Sequence, residues 1–510
     1  MQKLFARLDE LIQVTQENKL AVWLERSIFI FLLLMVLSAP HSIAATQISW
    51  LTGMLLWVVR LFLKPRPAFF KTPLNYAFLA FFLWSLVSSA FSYAPDISLD
   101  KLRGVSLFLI FFFIVNNLRA KRAVYFLGFA LIASCLFNVG WTMFERVTGR
   151  GVQISGISAE SPLLKNSFLE NPTEKVKDGD TLLAIGKKKF HSPEELVNEI
   201  ETQAAVKVRV YHLEFYWNTE VKKEDLLPGE TALEKLGIGS WKKSHNWRAQ
   251  GFFGHFTTYS EVLQLISALV FGLLLASFTN SENRKATLIL AVALGAMLFA
   301  LLLTVTRASQ GAFLVSSFVV AFAGASRKTF LLLLAIALPG ALIGLYVLQK
   351  SRNVGFYDTK DGSITWRQTV YREGFDLATE SPRHLLVGVG MDSIKRYAKD
   401  WHLFDDGRLP MGHFHSTPLQ LTVERGIPAL LIWLWILWLY GSSIWRKLKS
   451  NEITDWRQKG VLLGGLGSLI GFFTSGIVHY NLGDGEVAMV FYIIMGLSVF
   501  LTGKLKEIKN

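Results

Sequence analysis

The sequence predicts an α-helical polytopic membrane protein with about twelve transmembrane helices. Three observations carry that prediction. Only 18% of the 510 residues are charged, where a soluble chain has about 25%. Hydrophobic residues make up 51%, and the mean hydropathy is positive, at +0.36. The apolar residues also gather in runs approaching the ~20 residues needed to cross ~30 Å of hydrocarbon. A soluble enzyme, a disordered chain and a fibrous protein are thereby excluded. The formal charge is +14, from 53 basic and 39 acidic residues. Basic residues of membrane proteins collect in cytoplasmic loops, so no nucleic-acid partner is expected. The single cysteine, Cys135, allows no internal disulfide. The charged start from Met1 to Arg26 runs into a spanning-length segment and does not read as a cleavable leader.

The spans are read at 28–44, 47–63, 74–93, 104–118, 123–144, 257–279, 286–305, 309–325, 329–348, 418–444, 460–480 and 485–503. Lys and Arg in alternate short loops, at 64–71, 119–122, 284–285, 327–328, 446–459 and in the tail, place both termini in the cytoplasm. Phe5, Leu8, Leu11 and Ile12 give the initial segment the periodicity of a helix lying on the inner membrane surface. The chain then divides as spans one to five over 1–144, an outer insertion over 145–247, spans six to nine over 248–348, a large outer loop over 349–417 and spans ten to twelve over 418–510. Both outer stretches are too long to be connectors. Thr304 to Gln310 is a third, short outer segment.

The insertion reads as a small α+β domain. Gly151 to Ile157 alternates as a strand, Gly179 and Asp180 turn into a second strand over 181–185, and Ser192 caps a helix through Ile200. Lys207 to Leu213 alternates again. This order, over about 150–213, resembles a PDZ domain of the bacterial protease type. The resemblance implies a peptide or protein partner added to a sheet edge. A rigid spacer is the other reading.

Polar residues at the outer boundary carry the candidate chemistry. Arg307 follows an apolar span and is flanked by Ala308, Ser309, Gly311 and Ala312, small enough for a ligand to come close. Guanidinium suits two-pronged recognition of phosphate; the bland alternative is a snorkelling anchor. Arg367 and Tyr371 lie one helical turn apart in the large outer loop, ahead of Gly388 and Gly390. His415 stands at the mouth of span ten, with Glu424 nine residues on. Arg248 and His255 precede span six, where an aromatic interface belt is the competing explanation. Asp405 and Asp406, with Asp358 and Asp361, are the nearest acid pairs and read as solvated loop residues. No metal or cofactor is expected.

His415, Leu419, Gln420, Glu424 and Gly426 resemble the signature of the O-antigen ligase and polymerase superfamily. So do Arg307 with Gly311, Arg367 with Gly388 and Gly390, and Arg248 with Gly251 and His255. Ser416 stands where that family usually has Asn, and Thr258 and Tyr259 replace a usual Pro and Asn. The resemblance implies a C-type glycosyltransferase bundle in the bacterial inner membrane. It implies transfer of a glycan from undecaprenyl diphosphate to a hydroxyl acceptor at the periplasmic face, inverting and metal-independent. Arg307, Arg367 and Arg248 would hold the diphosphate and His415 would be the general base, titrating near working pH. Glu424, His255 and Tyr371 would support the site. The favoured acceptor is lipid A–core, as in O-antigen ligation. Alternatives are an O-antigen or exopolysaccharide polymerase, a protein O-oligosaccharyltransferase and, in a different class, a lipid-linked glycan flippase. A flippase would show mid-span charges and an internal repeat, and neither is evident.

Overall fold

The computed structural model describes residues 2–14, 18–170, 173–186, 188–213, 215–245, 247–278, 284–332, 334–335, 339, 362–409, 412–450 and 452–503. The chain forms two compact units. One comprises residues 1–138 and 250–510, and the other is 139–249.

The larger unit is a helix bundle. Among the described residues, six helices are long and apolar enough to cross a membrane: Lys19–Ser38, Ile43–Leu61, Lys121–Thr148, Phe256–Phe278, Arg284–Leu303 and Thr417–Lys449. Leu74–Ala90 and Gly485–Phe500 are shorter apolar helices. Eleven of the twelve expected spans fall on helices. The ninth, 329–348, lies mostly outside the described residues, as does the expected cytoplasmic tail. Two spans differ from expectation in form. The first begins at Lys19, capped by the Asn18 side chain, because Glu25 is buried against Arg60 and Arg119 and so lies inside the helix. The fourth is broken into Leu102–Val105, a 3₁₀ turn over 106–108 and Leu109–Asn117. The N-terminal segment is a helix, Gln2–Ile12, and its Asp9 meets Arg26 at 2.6 Å.

The centre of the bundle is Phe256–Phe278, lined along its length by Trp456–Gly476. Their closeness has a steric cause. A Cβ on Gly272 would lie 2.3 Å from the Gly464 nitrogen, so only glycine permits this approach. Small residues let the backbones approach where lipid supplies no hydrophobic drive between helices.

The smaller unit holds an antiparallel sheet of β1 (Arg150–Ile157), β2 (Thr181–Ile185), β3 (Lys188–Lys189), β4 (Ala205–His212), β5 (Phe215–Lys222) and β6 (Ile238–Ser244). The order is β5-β4-β2-β1-β6, with β3 paired to β2. Ser192 caps the helix Pro193–Thr202 by accepting from the Glu195 N–H. Val152, Leu182, Leu196, Val208, Val221 and Leu236 share one core. The sheet therefore extends past residue 213, the end expected from sequence, because β5 and β6 complete both its edges and its core.

Candidate active site

The site is built on a broken helix. Thr417–Lys449 reads as one hydrophobic span, but Gly426 has φ 76° and ψ 172°, so the helix stops at Arg425 and restarts. A break in an apolar bundle leaves carbonyls without helical partners, and each must be satisfied locally. The Val423 carbonyl accepts from the Val389 N–H at 2.9 Å, and that of Glu424 from the Gly390 N–H at 2.9 Å. Trp84 Nε1 donates to the Arg425 carbonyl at 2.8 Å. The turn through Gly388 and Gly390 is thus threaded against the break. A Cβ on Gly388, at φ 73°, would lie 2.3 Å from the Glu424 carbonyl carbon. These two glycines are a structural requirement, beyond the ordinary turn residues that their spacing suggests.

His415 immediately precedes the outer segment of that helix. Its backbone is left-handed, at φ 48°, a conformation that costs a non-glycine residue about 1–2 kcal/mol. Several contacts hold it there. Its N–H reaches His413 Nδ1 at 3.2 Å, and Tyr371 Oη donates to its carbonyl at 3.0 Å. The Phe414 N–H donates to Gln420 Oε1 at 2.8 Å, and Gln420 Nε2 donates to Glu424 Oε1 at 2.9 Å. Glu424 Oε1 also accepts from the Asp392 N–H at 2.9 Å. Glu424 thus acts on the histidine through Gln420 and ties the glycine turn to the same place. Ser416 is the N-cap and accepts from the Leu419 N–H. Ser and Asn are both favoured N-caps, so Ser416 fills the structural role that an Asn would have here.

Arg367 and Tyr371 lie on the helix Gly362–Thr379. The His415 ring meets Trp366 edge-on, with centroids 4.5 Å apart, and lies 4.0 Å from the His413 ring. Burial pushes the His415 imidazole down to about 2, and His413, His479, Arg367 and His255 push in the same direction. His413 is pushed down to about 4, again mainly by burial. The expected titration near working pH is therefore corrected: burial, the Arg367 charge and the neighbouring imidazoles favour the neutral form of His415. Burial also raises the Tyr371 phenol, while the nearby Arg367 charge opposes it. Asp392 is pushed up by burial, but hydrogen bonds from Lys101 and Lys395 outweigh this and hold it below the usual carboxylate range.

His255 precedes Phe256–Phe278, and its Nδ1 lies 3.4 Å from Thr258 Oγ1. Thr258, one of the two departures from the family pattern, donates to Asp484 Oδ2 at 2.6 Å. Arg307 is exposed and opens the helix Arg307–Gly324. Two residues on, Ser309 Oγ lies 2.9 Å from Ser260 Oγ, which brings that helix start beside the helix that follows His255. Arg248 is buried at the end of the smaller unit, where its carbonyl accepts from Tyr216 Oη at 2.6 Å. Of the acid pairs, Asp406 Oδ1 is 2.7 Å from His402 Nδ1 and Asp405 faces Arg408 at 3.7 Å. Asp358 and Asp361 lie outside the described residues.

Sequence reasoning missed Glu261 and His479, which form a buried pair at this same end of the bundle. The available signal was an ionisable residue inside an apolar span, which is costly unless it has a partner or a task.

No curated protein matches the chain. Residues 251–434 match the family model described as O-antigen ligase, a stretch that contains His255, Arg307, Arg367, Tyr371, His415 and Glu424. This stretch of the chain is thus similar to the O-antigen ligase family, and it lies in a bundle whose apolar helices are those of a multi-pass membrane protein.

Proposed function

We propose that the protein transfers a glycan from undecaprenyl diphosphate to a hydroxyl acceptor at the periplasmic face of the bacterial inner membrane, and that the reaction is O-antigen ligation to lipid A–core. The observation that carries this reading is His415 itself. A neutral imidazole is held in a strained backbone conformation beside Arg367, in the segment that matches the family. Strain of this kind persists only where surrounding structure maintains it, and it concentrates at working sites.

In this reading Arg367 and Arg307 neutralise the donor diphosphate at the membrane boundary. Arg248 is assigned to the same anion on its sequence position alone. A His415 ring nitrogen takes the proton of the acceptor hydroxyl as that oxygen bonds to the anomeric carbon. The bond from that carbon to the diphosphate oxygen breaks, and the electron pair leaves on the diphosphate, where the guanidiniums stabilise it. One displacement inverts the anomeric configuration. Bound diphosphate also opposes the cationic neighbours that depress His415, so the donor strengthens the base it needs. Tyr371, His255 and Glu424 orient the group. In this reading there are twelve spans with both termini cytoplasmic and the chemistry is outside, which the basic short loops support. The insert is taken as a periplasmic PDZ-like module with a peptide partner, supported by its capped helix and edge strands.

The test is an acceptor assay with purified protein, lipid-linked repeat, lipid A–core and peptide. Glycan on lipid A–core is the expected product. Extension of one lipid-linked glycan by another would make the protein a polymerase, and glycopeptide would make it a protein O-oligosaccharyltransferase. Donor movement across vesicles with no transfer would make it a flippase.

A further inference from the structure

Glu261 and His479 play no part in the reaction just described, yet they are among the most buried ionisable residues at that end of the bundle. Glu261 lies in the second turn of Phe256–Phe278 and is 1% exposed; His479 follows Trp456–Gly476 and is 7% exposed. Glu261 Oε1 and His479 Nδ1 are 2.9 Å apart. Carboxylates and imidazoles in an apolar interior carry a desolvation cost, and a fold that needed only packing would be served as well by an apolar pair.

The pair leads to His415 along the backbone. The His479 carbonyl accepts from the Thr417 N–H at 3.1 Å. The Thr417 hydroxyl points to that same carbonyl at 3.1 Å and to Asn481 Oδ1 at 2.9 Å. Asn481 is fixed in turn, its Nδ2 donating to the Phe472 carbonyl at 2.7 Å. Thr417 is the first residue of the outer helical segment, two residues after the left-handed His415. Fixing Thr417 therefore fixes the chain that leaves the strained histidine, as Tyr371 and Gln420 fix the chain around and before it.

We propose that Glu261 and His479 are positioning residues for His415, holding its backbone through Thr417. The proposal rests on the reading of His415 as the general base. Neither residue touches substrate, so each should affect turnover without affecting donor recognition.

The experiment uses purified full-length protein, with undecaprenyl-diphosphate-linked glycan as donor and lipid A–core as acceptor. Glu261→Gln and His479→Gln should each lower kcat by about 10- to 100-fold, the scale of losing a partner that orients a working histidine. Donor KM should stay within about twofold. The double variant should be no slower than the slower single variant, because the two act as one unit. In a His415→Ala background, Glu261→Gln should not reduce the residual rate further. Thr417→Val, which keeps the backbone N–H and the helix, should lower kcat several-fold and provides the reading should the buried variants fail to fold. Unchanged kcat in Glu261→Gln, or in Thr417→Val where Glu261→Gln does not fold, would overturn the proposal while leaving the base intact, provided His415→Ala is inactive. An equal rise in KM and fall in kcat would make the pair a structural element only. An active His415→Ala would instead remove the reading on which the pair depends.

Discussion

Two clusters of buried charge sit at opposite ends of the bundle, and they are built differently. At one end Arg60 is 2% exposed and donates through Nε to Glu25 Oε1 at 2.9 Å. Its Nη1 reaches the carbonyls of Leu63 and Pro65 at 3.0 and 2.9 Å, and Arg119 Nη2 closes on the same carboxylate at 2.6 Å. Charge there is answered by charge and by fixed carbonyls, which makes a brace between helices. At the other end the groups acting on His415 are an arginine and three more imidazoles. The carboxylates there are bound elsewhere, Glu424 to Gln420 and Asp392, and Glu261 to His479. Arginine beside carboxylate stabilises a fold; under the proposed function, arginine beside imidazoles is arranged for an anion that arrives and leaves.

That contrast can be broken by mutation. The largest effect should come from His415→Ala, a loss of roughly 10²–10⁴-fold in transfer with donor binding almost intact. His413→Ala, which removes the acceptor for the His415 N–H and a neighbouring ring but keeps the proposed base, should be much milder. If the two variants exchanged behaviour, the base would be assigned two residues too late. Next come Arg307→Lys and Arg367→Lys. Ammonium keeps the charge but not the two-pronged geometry, and each change should cost about 2–4 kcal/mol of transition-state stabilisation, about a hundredfold or more in rate. Near-normal rates at matched membrane levels would reduce both to interface anchors.

Glu25→Gln probes the other end. Leaving two guanidiniums without their carboxylate should lower stability by about 3 kcal/mol, read as a lower melting temperature in detergent, with kcat per folded molecule unchanged. A loss of transfer at full stability would erase the distinction between the clusters. The smallest effect concerns pH. Because the folded His415 pKa lies far below the unfolded value, its base remains available on acidification, and kcat/KM should show no His415 limb near the ordinary imidazole value. The folded protein should instead lose stability as pH falls from that value, since the unfolded chain takes up a proton that the folded site refuses. A limb near 6.5 that disappears in His415→Ala would contradict this environment.

Much of the architecture was legible beforehand because it is written in hydropathy and turn chemistry. The apolar runs marked eleven helices, and Ser192, Gly179 and the alternation after Lys207 marked elements of the insert. What escaped depends on contacts distant in sequence. Hydropathy averages over 417–449 and hides the break at Gly426, although Gly426 and Pro428 were available as breakers. The importance of Gly388 and Gly390 appears only once that break is seen against their turn. Glu261 and His479 are separated by 218 residues, and no local pattern joins them. Ser416, a departure from the family pattern, stands at the N-cap, a position that serine and asparagine both favour.

The most direct measurement of the central claim is the stereochemistry of the product. Purified protein would be given a lipid-linked glycan of known anomeric configuration and a lipid A–core acceptor, and the new linkage determined by NMR. A single base-assisted displacement predicts inversion in every product molecule, with none formed by His415→Ala at the wild-type rate. Retention of configuration would require a covalent glycosyl-enzyme or an equivalent double displacement, and would contradict a mechanism in which His415 and the arginines act alone.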